Sequence, residues 1–397
     1  MVPNDIPLKI SKIRVRNFRS IESLDLDLDD TTVFIGANNA GKSAVLDALR
    51  IALTRRWGQR GTGFTEHDIF APAPGCDPRT LPPVSIDVVL EEDAPHSWPD
   101  ELVQALDSIM TVRPDGRNTI ILRIQCAWNT ELETFEPAWS FLDWQDNPMT
   151  GNARRATNLS GFFGYLPLFW LDALRDADNE FSPRSQLWGR LVRSVRIPKA
   201  TETDVQTGLD ELDAKLLNAD PKLTAIADTI GQATTVAIGE GPGAARLRML
   251  PLNVWDMLTR AGVVMRHEDM RPWLPLDHHG QGMQSLSVIF LFQAAVMEQL
   301  TDGERVGAEP VFAIEEPEAH LHPQASRTLW EKISSLPGQN LLTTHSPYFV
   351  QHVPLRDLRI VRLIGGKTKV AQMPKATTSS LPWNDNCKSW LSTPPAS

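Results

Sequence analysis

A glycine-rich segment that ends in lysine and serine is the clearest chemical signal in this sequence of 397 residues. The pattern GxxxxGK[ST] is matched by the run Gly36, Ala37, Asn38, Asn39, Ala40, Gly41, Lys42 and Ser43. Glycines allow a loop to curl so that successive backbone N–H groups face one anion, and a following helix points its positive end at that anion. Lys42 would contact the β- and γ-phosphates, and the Ser43 hydroxyl would ligate Mg²⁺. The segment therefore predicts a nucleotide site in which Gly36 and Asn38 to Ser43 bind phosphate.

A pair of carboxylates near the end of the chain is the best candidate for the second half of such a site. Glu315 and Glu316 follow the apolar run Val311 to Ile314, which is typical of a buried strand that delivers acids to its carboxyl end. Glu315 would hold Mg²⁺, and Glu316 would polarise the attacking water as a general base. A strand that simply runs into a charged turn is the alternative. The phosphate loop in the same chain favours the catalytic interpretation.

Two further segments could reach phosphate. His345 follows the short apolar strand Leu341 to Thr344, where it could contact a γ-phosphate, although a single histidine is more often structural. Gly280 and Gly282 precede the helical stretch Leu286 to Leu300, and a helix that begins at glycines can bind an anion. Because this segment contains no lysine, it would suit phosphates that are held by a second subunit.

The elements around these residues alternate between strand and helix patterns. Apolar residues alternate with charged ones in Ile13 to Arg16 and Leu24 to Asp29, and apolar runs at Thr32 to Ile35, Val84 to Leu90 and Thr119 to Ile124 indicate further strands. A proline-rich surface loop covers 71–83, and a helical pattern covers 181–259 with a glycine-rich break at 239–243. We predict an α/β protein with a lobe at 1–165, an inserted helical arm at 166–262, a second lobe at 263–375 and a tail at 376–397.

In the order of these segments, the chain resembles the ABC ATPases. More narrowly, it resembles the SMC/RecF-like branch and, within that branch, the overcoming-lysogenization-defect (OLD) family. The segments that carry the resemblance are IRVRNFRSI (Ile13 to Ile21), IGANNAGKS, GQGMQSL, IEEPEAHLHPQ (Ile314 to Gln324) and TTHSP (Thr343 to Pro347). They are similar to Walker A, the signature, Walker B with the D-loop, and the H-loop. The resemblance implies a mixed sheet core, an antiparallel β-lobe and an inserted helical dimerisation arm.

The same resemblance implies a dimer in which each ATP lies between the phosphate loop of one subunit and the signature helix of the other. Glu316 would be the catalytic base, His345 would sense the γ-phosphate, and Arg16 and Arg19 would lie near the nucleotide. The signature contacts would come from Gly280, Gly282 and Gln284.

Three positions depart from the general ABC pattern or stay open. Gly280 stands where a serine is usual, which predicts slow turnover. Glu315 replaces the usual aspartate, although a Glu–Glu pair is common among OLD-like proteins. We place the Q-loop only as a guess at Glu66 to Asp68.

OLD proteins typically couple this ATPase to a C-terminal TOPRIM nuclease, which needs a strand-borne glutamate and paired aspartates for two metal ions. The residues after His345 contain no such set, so we expect ATP hydrolysis but no nuclease activity from this chain alone. The nuclease would be a partner chain or a missing C-terminal domain, in a system for DNA processing, DNA repair or antiphage defence. Two basic groups could contact DNA, namely Arg55, Arg56 and Arg60, or Arg190, Arg193, Arg196 and Lys199.

Two other functions compete with that of an ATPase in an OLD-like nuclease system. An ATP-gated, dimerising DNA-binding scaffold with negligible turnover remains the alternative. A transporter ATPase is disfavoured by the RNFRSI opening and the long insertion. Beyond a homodimer, we leave open a higher oligomer and a nuclease or helicase partner protein.

The composition of the chain bears on its partners and on its cellular compartment. A formal net charge of -10 means that no global basic field attracts nucleic acid, so DNA contacts must be local. The three cysteines form no CxxC pair, which argues against a disulfide framework or a zinc site and suits a reducing compartment. Without a signal-peptide pattern or a long apolar run, we expect a cytoplasmic protein with no membrane partner.

Overall fold

The computed structural model describes residues 7–54, 64–154, 156–172, 188–189, 192, 195–238, 248–251, 253–259, 262–266, 272–301, 307–319 and 321–372. The chain divides into two compact units. The first contains Met1–Leu174 and Asp302–Ser397, and the second contains Arg175–Thr301. The functional boundaries at 166, 263 and 376 stay predictions.

The described strands and helices are numbered in chain order. The strands are β1 (Ile10–Phe18), β2 (Ile21–Asp27), β3 (Thr31–Ile35), β4 (Val84–Glu91), β5 (Thr111–Val112), β6 (Asn118–Asn129), β7 (Thr134–Leu142), β8 (Leu168–Leu171), β9 (Val264–Met265), β10 (Leu274–Pro275), β11 (Val311–Glu315), β12 (Gln339–Thr344), β13 (Leu358–Ile364) and β14 (Lys367–Gln372). The helices are α1 (Lys42–Thr54), α2 (Asp100–Leu106), α3 (Ala156–Tyr165), α4 (Lys199–Leu217), α5 (Pro221–Ile238), α6 (Val254–Thr259), α7 (Gln281–Thr301), α8 (Ser326–Ile333) and α9 (Pro347–Val350).

A mixed six-stranded sheet forms the core of the first unit. Its strand order is β14-β13-β3-β12-β11-β8, and all neighbours are parallel except β13 and β14. The inner strands β11 and β12 are buried almost throughout, which explains the apolar run Val311 to Ile314 of β11. Because β3, β12 and β11 are adjacent and parallel, their carboxyl ends lie together at one edge.

A second, antiparallel sheet has the order β2-β1-β4-β6-β5, with β7 paired to β6. Apolar residues such as Ile13 and Leu26 pair directly and are buried, whereas alternate positions carry charge. The predicted strand at Thr119 to Ile124 extends in the structure over Asn118–Asn129, because β7 pairs with β6 along its length. β2 ends at Asp27, earlier than the alternating pattern to Asp29 indicated.

Buried polar side chains join the two sheets. The Gln339 amide accepts a hydrogen bond from the Ile10 N–H at 3.0 Å and donates to the Ile10 carbonyl at 2.8 Å. Arg359 is fully buried and pairs with Asp29 at 2.6 Å. A buried charge of this kind is tolerated only when it is paired and hydrogen-bonded.

The second unit is largely helical in its described residues, with the β9–β10 hairpin beside helices α4 to α7. Asp213 of α4 is buried and accepts hydrogen bonds from the N–H groups of Met249 and Leu250 at 2.8 and 3.1 Å. Among the leucines of α4, Leu209 is buried but Leu212 and Leu216 are exposed. The glycine-rich break at 239–243 and the tail at 376–397 lie outside the described residues. No helix that the structure describes is long and apolar enough to span a membrane.

Candidate nucleotide-binding site

The glycine-rich segment connects the buried strand β3 to helix α1, as the sequence predicted. Asn39 and Gly41 have φ values of 62° and 98°, in the left-handed region, and the Ala40 N–H donates to the Ala37 carbonyl at 3.2 Å. Asparagine and glycine are the residues that adopt this conformation most easily. The resulting turn leaves residues 37–39 exposed at the start of the helix, where an anion would bind.

Two strands of the core sheet brace this loop. A Cβ on Gly36 would collide with the Val361 carbonyl of β13, and a Cβ on Gly41 would collide with the Thr368 side chain of β14. The Thr368 hydroxyl also donates to the Ala40 carbonyl at 3.1 Å. Both glycines are therefore required by close packing, and the two strands fix the shape of the loop.

The Lys42 ammonium lies inside the loop. Its Nζ donates to the carbonyls of Gly36 and Ala37 at 2.8 and 2.9 Å, and the residue is only 6% exposed. Burial lowers the pKa of Lys42, and the charges of Glu316, Glu318 and Glu315 oppose that shift. The cation is thus held in the curve of the loop by neutral acceptors, which phosphate oxygens could replace with stronger, charge-assisted hydrogen bonds.

Glu315 and Ser43 lie next to each other at the ends of β11 and the phosphate loop. The Ser43 side chain is close enough to the Glu315 carboxyl to act on its charge. Burial raises the pKa of Glu315, and the charges of Asp47, Asp172 and Glu316 add to this effect. A hydroxyl and a carboxylate are the oxygen ligands that Mg²⁺ takes alongside phosphate and water, so these residues fit that ion.

Within the described part of the chain, no group of three or more His, Cys, Asp or Glu could hold a metal ion. A magnesium ion that takes most of its ligands from substrate phosphates and water needs no larger protein cage. The Ser43–Glu315 pair is therefore the arrangement expected for that use.

Glu316 is held in an unusual backbone conformation beside His345. Its φ is 42°, which is uncommon for a residue other than glycine, and its N–H donates to the Thr343 carbonyl at 3.0 Å. Its Oε1 lies 3.1 Å from Nδ1 of His345, the first residue after β12. The adjacent strand ends thus bring the predicted base and the predicted γ-phosphate sensor into direct contact.

A third carboxylate, Glu318, belongs to the same cluster but was missed in the sequence. It is 8% exposed, and its Oε1 accepts a hydrogen bond from the Thr344 hydroxyl at 2.5 Å. The repeated acid in Glu315-Glu316-Pro317-Glu318 was its available signal. A glutamate after a proline is typical of a charged surface turn. The structure shows instead that Glu318 is buried and bonds to Thr344 at the end of β12.

Arg16 and Arg19 are both paired with carboxylates. Arg16 forms a bidentate contact with Asp25 of β2 at 2.8 Å. Arg19 pairs with Asp47 of α1 and, at 2.7 Å, with Asp68. Arg19 therefore ties the β1–β2 turn to the phosphate-loop helix, while a contact of either arginine with a nucleotide stays a prediction.

The guessed Q-loop segment, Glu66–Asp68, forms one short 3₁₀ turn. Asp68 is buried and accepts hydrogen bonds from the Thr65 N–H and hydroxyl at 2.8 and 3.0 Å, in addition to its Arg19 pair. The described contacts give Asp68 a structural part in holding the β1–β2 turn. Its assignment as a Q-loop residue stays a guess.

The predicted signature residues lie in the second unit, at the start of α7. The Gly280 carbonyl accepts from the N–H groups of Met283 and Gln284 at 2.9 and 3.2 Å, which begins the helix. The Gln284 amide nitrogen donates to the His279 carbonyl at 2.8 Å. A Cβ on Gly280 would meet nothing within 4 Å, so packing against the described residues does not explain the glycine.

The candidate DNA-contacting residues are only partly covered. Arg55, Arg56, Arg60, Arg190 and Arg193 lie outside the described residues. Arg196 and Lys199 are exposed at the start of α4.

Comparison with known proteins agrees with this geometry. The model of the AAA ATPase domain family AAA_15 matches residues 8–158 and 171–350. The OLD nuclease of Thermus scotoductus is 25% identical over 373 residues, which cover 89% of this chain and 62% of that protein. The uncharacterized protein YbjD of Escherichia coli K12 is 26% identical over 381 residues, or 91% of this chain and 62% of that protein.

A third relative is the Old nuclease of Escherichia phage P2, which is 22% identical over 355 residues, or 85% of this chain and 56% of that protein. The chain thus spans less than two thirds of the length of these curated relatives.

Solved structures show the same fold. The SMC head bound to the C-winged helix domain of ScpA has a TM-score of 0.51 at 14% identity, covering 92% of this chain and 98% of that one. An SMC head with an extended coiled coil, from a complex with a ScpA domain derived from Pyrococcus furiosus, has a TM-score of 0.50 at 14% identity, covering 92% of this chain and 96% of that one.

These likenesses confirm the predicted fold class, an ABC-type P-loop ATPase head with a mixed sheet core and an antiparallel lobe. The likeness to OLD proteins and the family match also confirm the predicted kinship. The chain belongs to the AAA ATPase domain family, whose model matches most of its length, and it is similar to OLD nucleases.

Proposed function

We propose that this chain hydrolyses ATP with Mg²⁺. The observation that carries the proposal is the convergence of Lys42, Glu315, Glu316 and His345 at the carboxyl ends of β3, β11 and β12. A cation, a magnesium-type oxygen pair and a carboxylate–histidine pair are three separate requirements of phosphoryl transfer to water. Their coincidence at one sheet edge supports an ATPase more strongly than any one of the residues does.

Each residue has a defined task in this reaction. Lys42 exchanges its two loop carbonyls for the β- and γ-phosphates, and the loop N–H groups hold the remaining oxygens. Ser43 and Glu315 would hold Mg²⁺, which neutralises phosphate charge when bound. Glu316 accepts a proton from the attacking water, and His345, in contact with Glu316, donates a hydrogen bond to the γ-phosphate.

We further propose that the site is completed by a second copy of the chain. Gly280 and Gly282 at the start of α7 would present backbone N–H groups to the γ-phosphate bound by the partner, and Gln284 would contribute to the same site. The exposure of Gly280, with open space around it, supports this use. The missing serine hydroxyl at this position is expected to make turnover slow. Whether dimers assemble into a higher oligomer stays open.

The biological role we propose is that of an ATPase module in an OLD-like system for DNA processing, DNA repair or antiphage defence in the cytoplasm. Two of the relatives are named nucleases, and the chain spans 62% and 56% of them. We propose that nuclease activity resides outside the ATPase residues, in a further C-terminal domain or a partner chain. Arg196 and Lys199 would contribute to DNA contact.

Glu316→Gln tests the catalytic assignment. The amide keeps the size of the side chain but cannot take a proton, so phosphate release should fall at least about 100-fold while ATP still binds. Trapped ATP should also hold the chain as a dimer, which light scattering can detect. Glu331→Gln, an exposed glutamate on α8, is the matched control and should keep wild-type turnover.

The same experiment separates the ATPase from the alternative, an ATP-gated scaffold that binds DNA. A scaffold would dimerise with ATP in the wild type, and its turnover would already be negligible. Wild-type turnover that survives Glu316→Gln unchanged would contradict the assignment of the base.

A further inference from the structure

The buried carboxyl of Glu318 lies beside the site and has no task in the reaction described above. Its Oε1 accepts from the Thr344 hydroxyl at 2.5 Å. Its Oε2 is buried and has no hydrogen-bond partner among the residues that the structure describes. An unmatched carboxyl oxygen in a buried position costs stability, so its presence at this place calls for an explanation.

The Thr344 hydroxyl forms two hydrogen bonds, and His345 lies between Thr344 and Ser346 in the chain. The Thr344 hydroxyl donates to Glu318 and accepts from the Ser346 N–H at 3.0 Å. Ser346 in turn accepts from the Phe349 N–H at 3.3 Å and so caps helix α9. The orientation of the backbone that carries His345 is therefore set by bonds at both of its neighbours.

This set of bonds leads back to the proposed base. His345 Nδ1 lies 3.1 Å from Glu316, and Glu316 is two residues before Glu318 in the chain. A closed circuit runs from Glu318 through Thr344 and His345 to Glu316. Residues in such a circuit restrict one another's positions, which a surface ion pair does not do.

The surroundings of Glu318 work against its charged form. Burial raises the pKa of Glu318, and the nearby Glu316 charge adds to the shift, whereas Thr344 and His345 oppose it. A protonated carboxyl still accepts the Thr344 hydrogen through its carbonyl oxygen, as a glutamine amide would.

We propose that Glu318 is a positioning residue for ATP hydrolysis, in which its hydrogen bond to Thr344 fixes the orientation of His345 against Glu316. The inference rests on the proposed ATPase function and adds a residue to it. Glu318 acts through Thr344 and not through its own charge. Positioning of this kind affects the rate of the chemical step more than the affinity for ATP.

Four single variants and one double variant test the inference by steady-state phosphate release. Glu318→Leu and Thr344→Val each remove one partner of the bond, and each should lower kcat about tenfold with KM for ATP changed less than about twofold. Glu318→Gln and Thr344→Ser keep the acceptor and the hydroxyl, so both should retain kcat within about twofold of the wild type. The double variant Glu318→Leu/Thr344→Val should be no slower than the slower single variant, because both changes break the same bond.

Glu92→Gln is the matched control for a changed buried carboxyl. Glu92 is 1% exposed and accepts from the N–H groups of Trp98 and Asn118 in the antiparallel lobe, away from the nucleotide site. It should keep wild-type kcat. Thermal melting identifies any variant that fails to fold, in which case the Thr344 pair decides the matter.

The inference is overturned if Glu318→Leu and Thr344→Val turn over like the wild type, or if Glu318→Gln is as slow as Glu318→Leu. The second result would mean that the charge acts and not the hydrogen bond. A wild-type chain that releases no phosphate would instead overturn the proposed function itself, so the two failures are distinguishable.

Discussion

At the residue scale, one residue of the candidate site has a strained backbone conformation. Glu316 has a positive φ, which costs on the order of 1–3 kcal/mol for a residue of this kind. The Thr343 carbonyl and hydroxyl both accept from its N–H, at 3.0 and 3.3 Å, and so stabilise the conformation. Strain of this sort persists where the surrounding structure determines it, and at Glu316 it directs the carboxylate toward His345.

Another glutamate, Glu309, gives a stability prediction from its titration. Its backbone N–H donates to the Tyr165 carbonyl at 2.9 Å, and burial raises the pKa of its carboxyl from 4.5 to about 7. Between these two values the folded chain keeps a proton that the unfolded chain has released. The free energy of unfolding should therefore fall as the pH rises through this window.

Glu309→Gln should remove that loss because an amide does not ionise. In urea denaturation, the variant should be more stable than the wild type at about pH 8, and the difference should shrink at about pH 5. Glu131→Gln, an exposed residue of the β6–β7 turn, should change neither value. An equal effect of Glu309→Gln at both pH values would show that the carboxyl does not titrate in this range.

At the element scale, the phosphate loop takes its shape from two strands that follow it by more than 300 residues. Val361 of β13 and Thr368 of β14 lie where side chains on Gly36 and Gly41 would be. The loop motif was readable from its own residues, because the pattern of glycine, lysine and serine is local. The contact between Thr368 and the loop was not readable, because it depends on the pairing of β14 with β13.

Gly41→Ala tests this bracing. The alanine Cβ would meet the Thr368 side chain at a φ of 98°, and the strain of roughly 1–3 kcal/mol should weaken ATP binding about tenfold or more. Adding Thr368→Ala should restore part of the affinity, since it removes the collision but not the backbone strain. Gly208→Ala in α4 meets nothing within 4 Å and should bind ATP normally. Binding by Gly41→Ala at wild-type affinity, measured by calorimetry, would contradict a braced loop.

The same contrast between local and distant information explains which parts of the site were predictable. Glu315, Glu316 and His345 were readable because each ends an apolar run that must be a buried strand, and parallel strands align their carboxyl ends. Glu318 and Thr344 were missed because their bond joins two strands through a turn. Arg19 was assigned to the nucleotide from resemblance, whereas its contacts are with Asp47 of α1, 28 residues away, and with Asp68, 49 residues away.

At the scale of the whole molecule, the residues of the proposed site belong to two compact units. The phosphate loop and both acidic positions lie in the first unit, and Gly280 to Gln284 lie in the second. The fold was predictable because the order of motifs along the chain is specific to one type of ATPase. The division of the chain into functional domains stays a prediction, because apolar periodicity marks helices without marking which unit they belong to.

ATP hydrolysis at the phosphate loop is best tested by measuring phosphate release from ATP by the purified chain. The measurement is made with and without Mg²⁺, in the wild type and in Lys42→Ala. Lys42 is the one described cation that lies inside the phosphate loop, so its loss should abolish both ATP binding and turnover. Lys332→Ala, which removes an exposed lysine of α8, should leave both unchanged. We predict Mg²⁺-dependent release that disappears only in Lys42→Ala. Release by Lys42→Ala at the wild-type rate, or none from the wild type, would contradict the account.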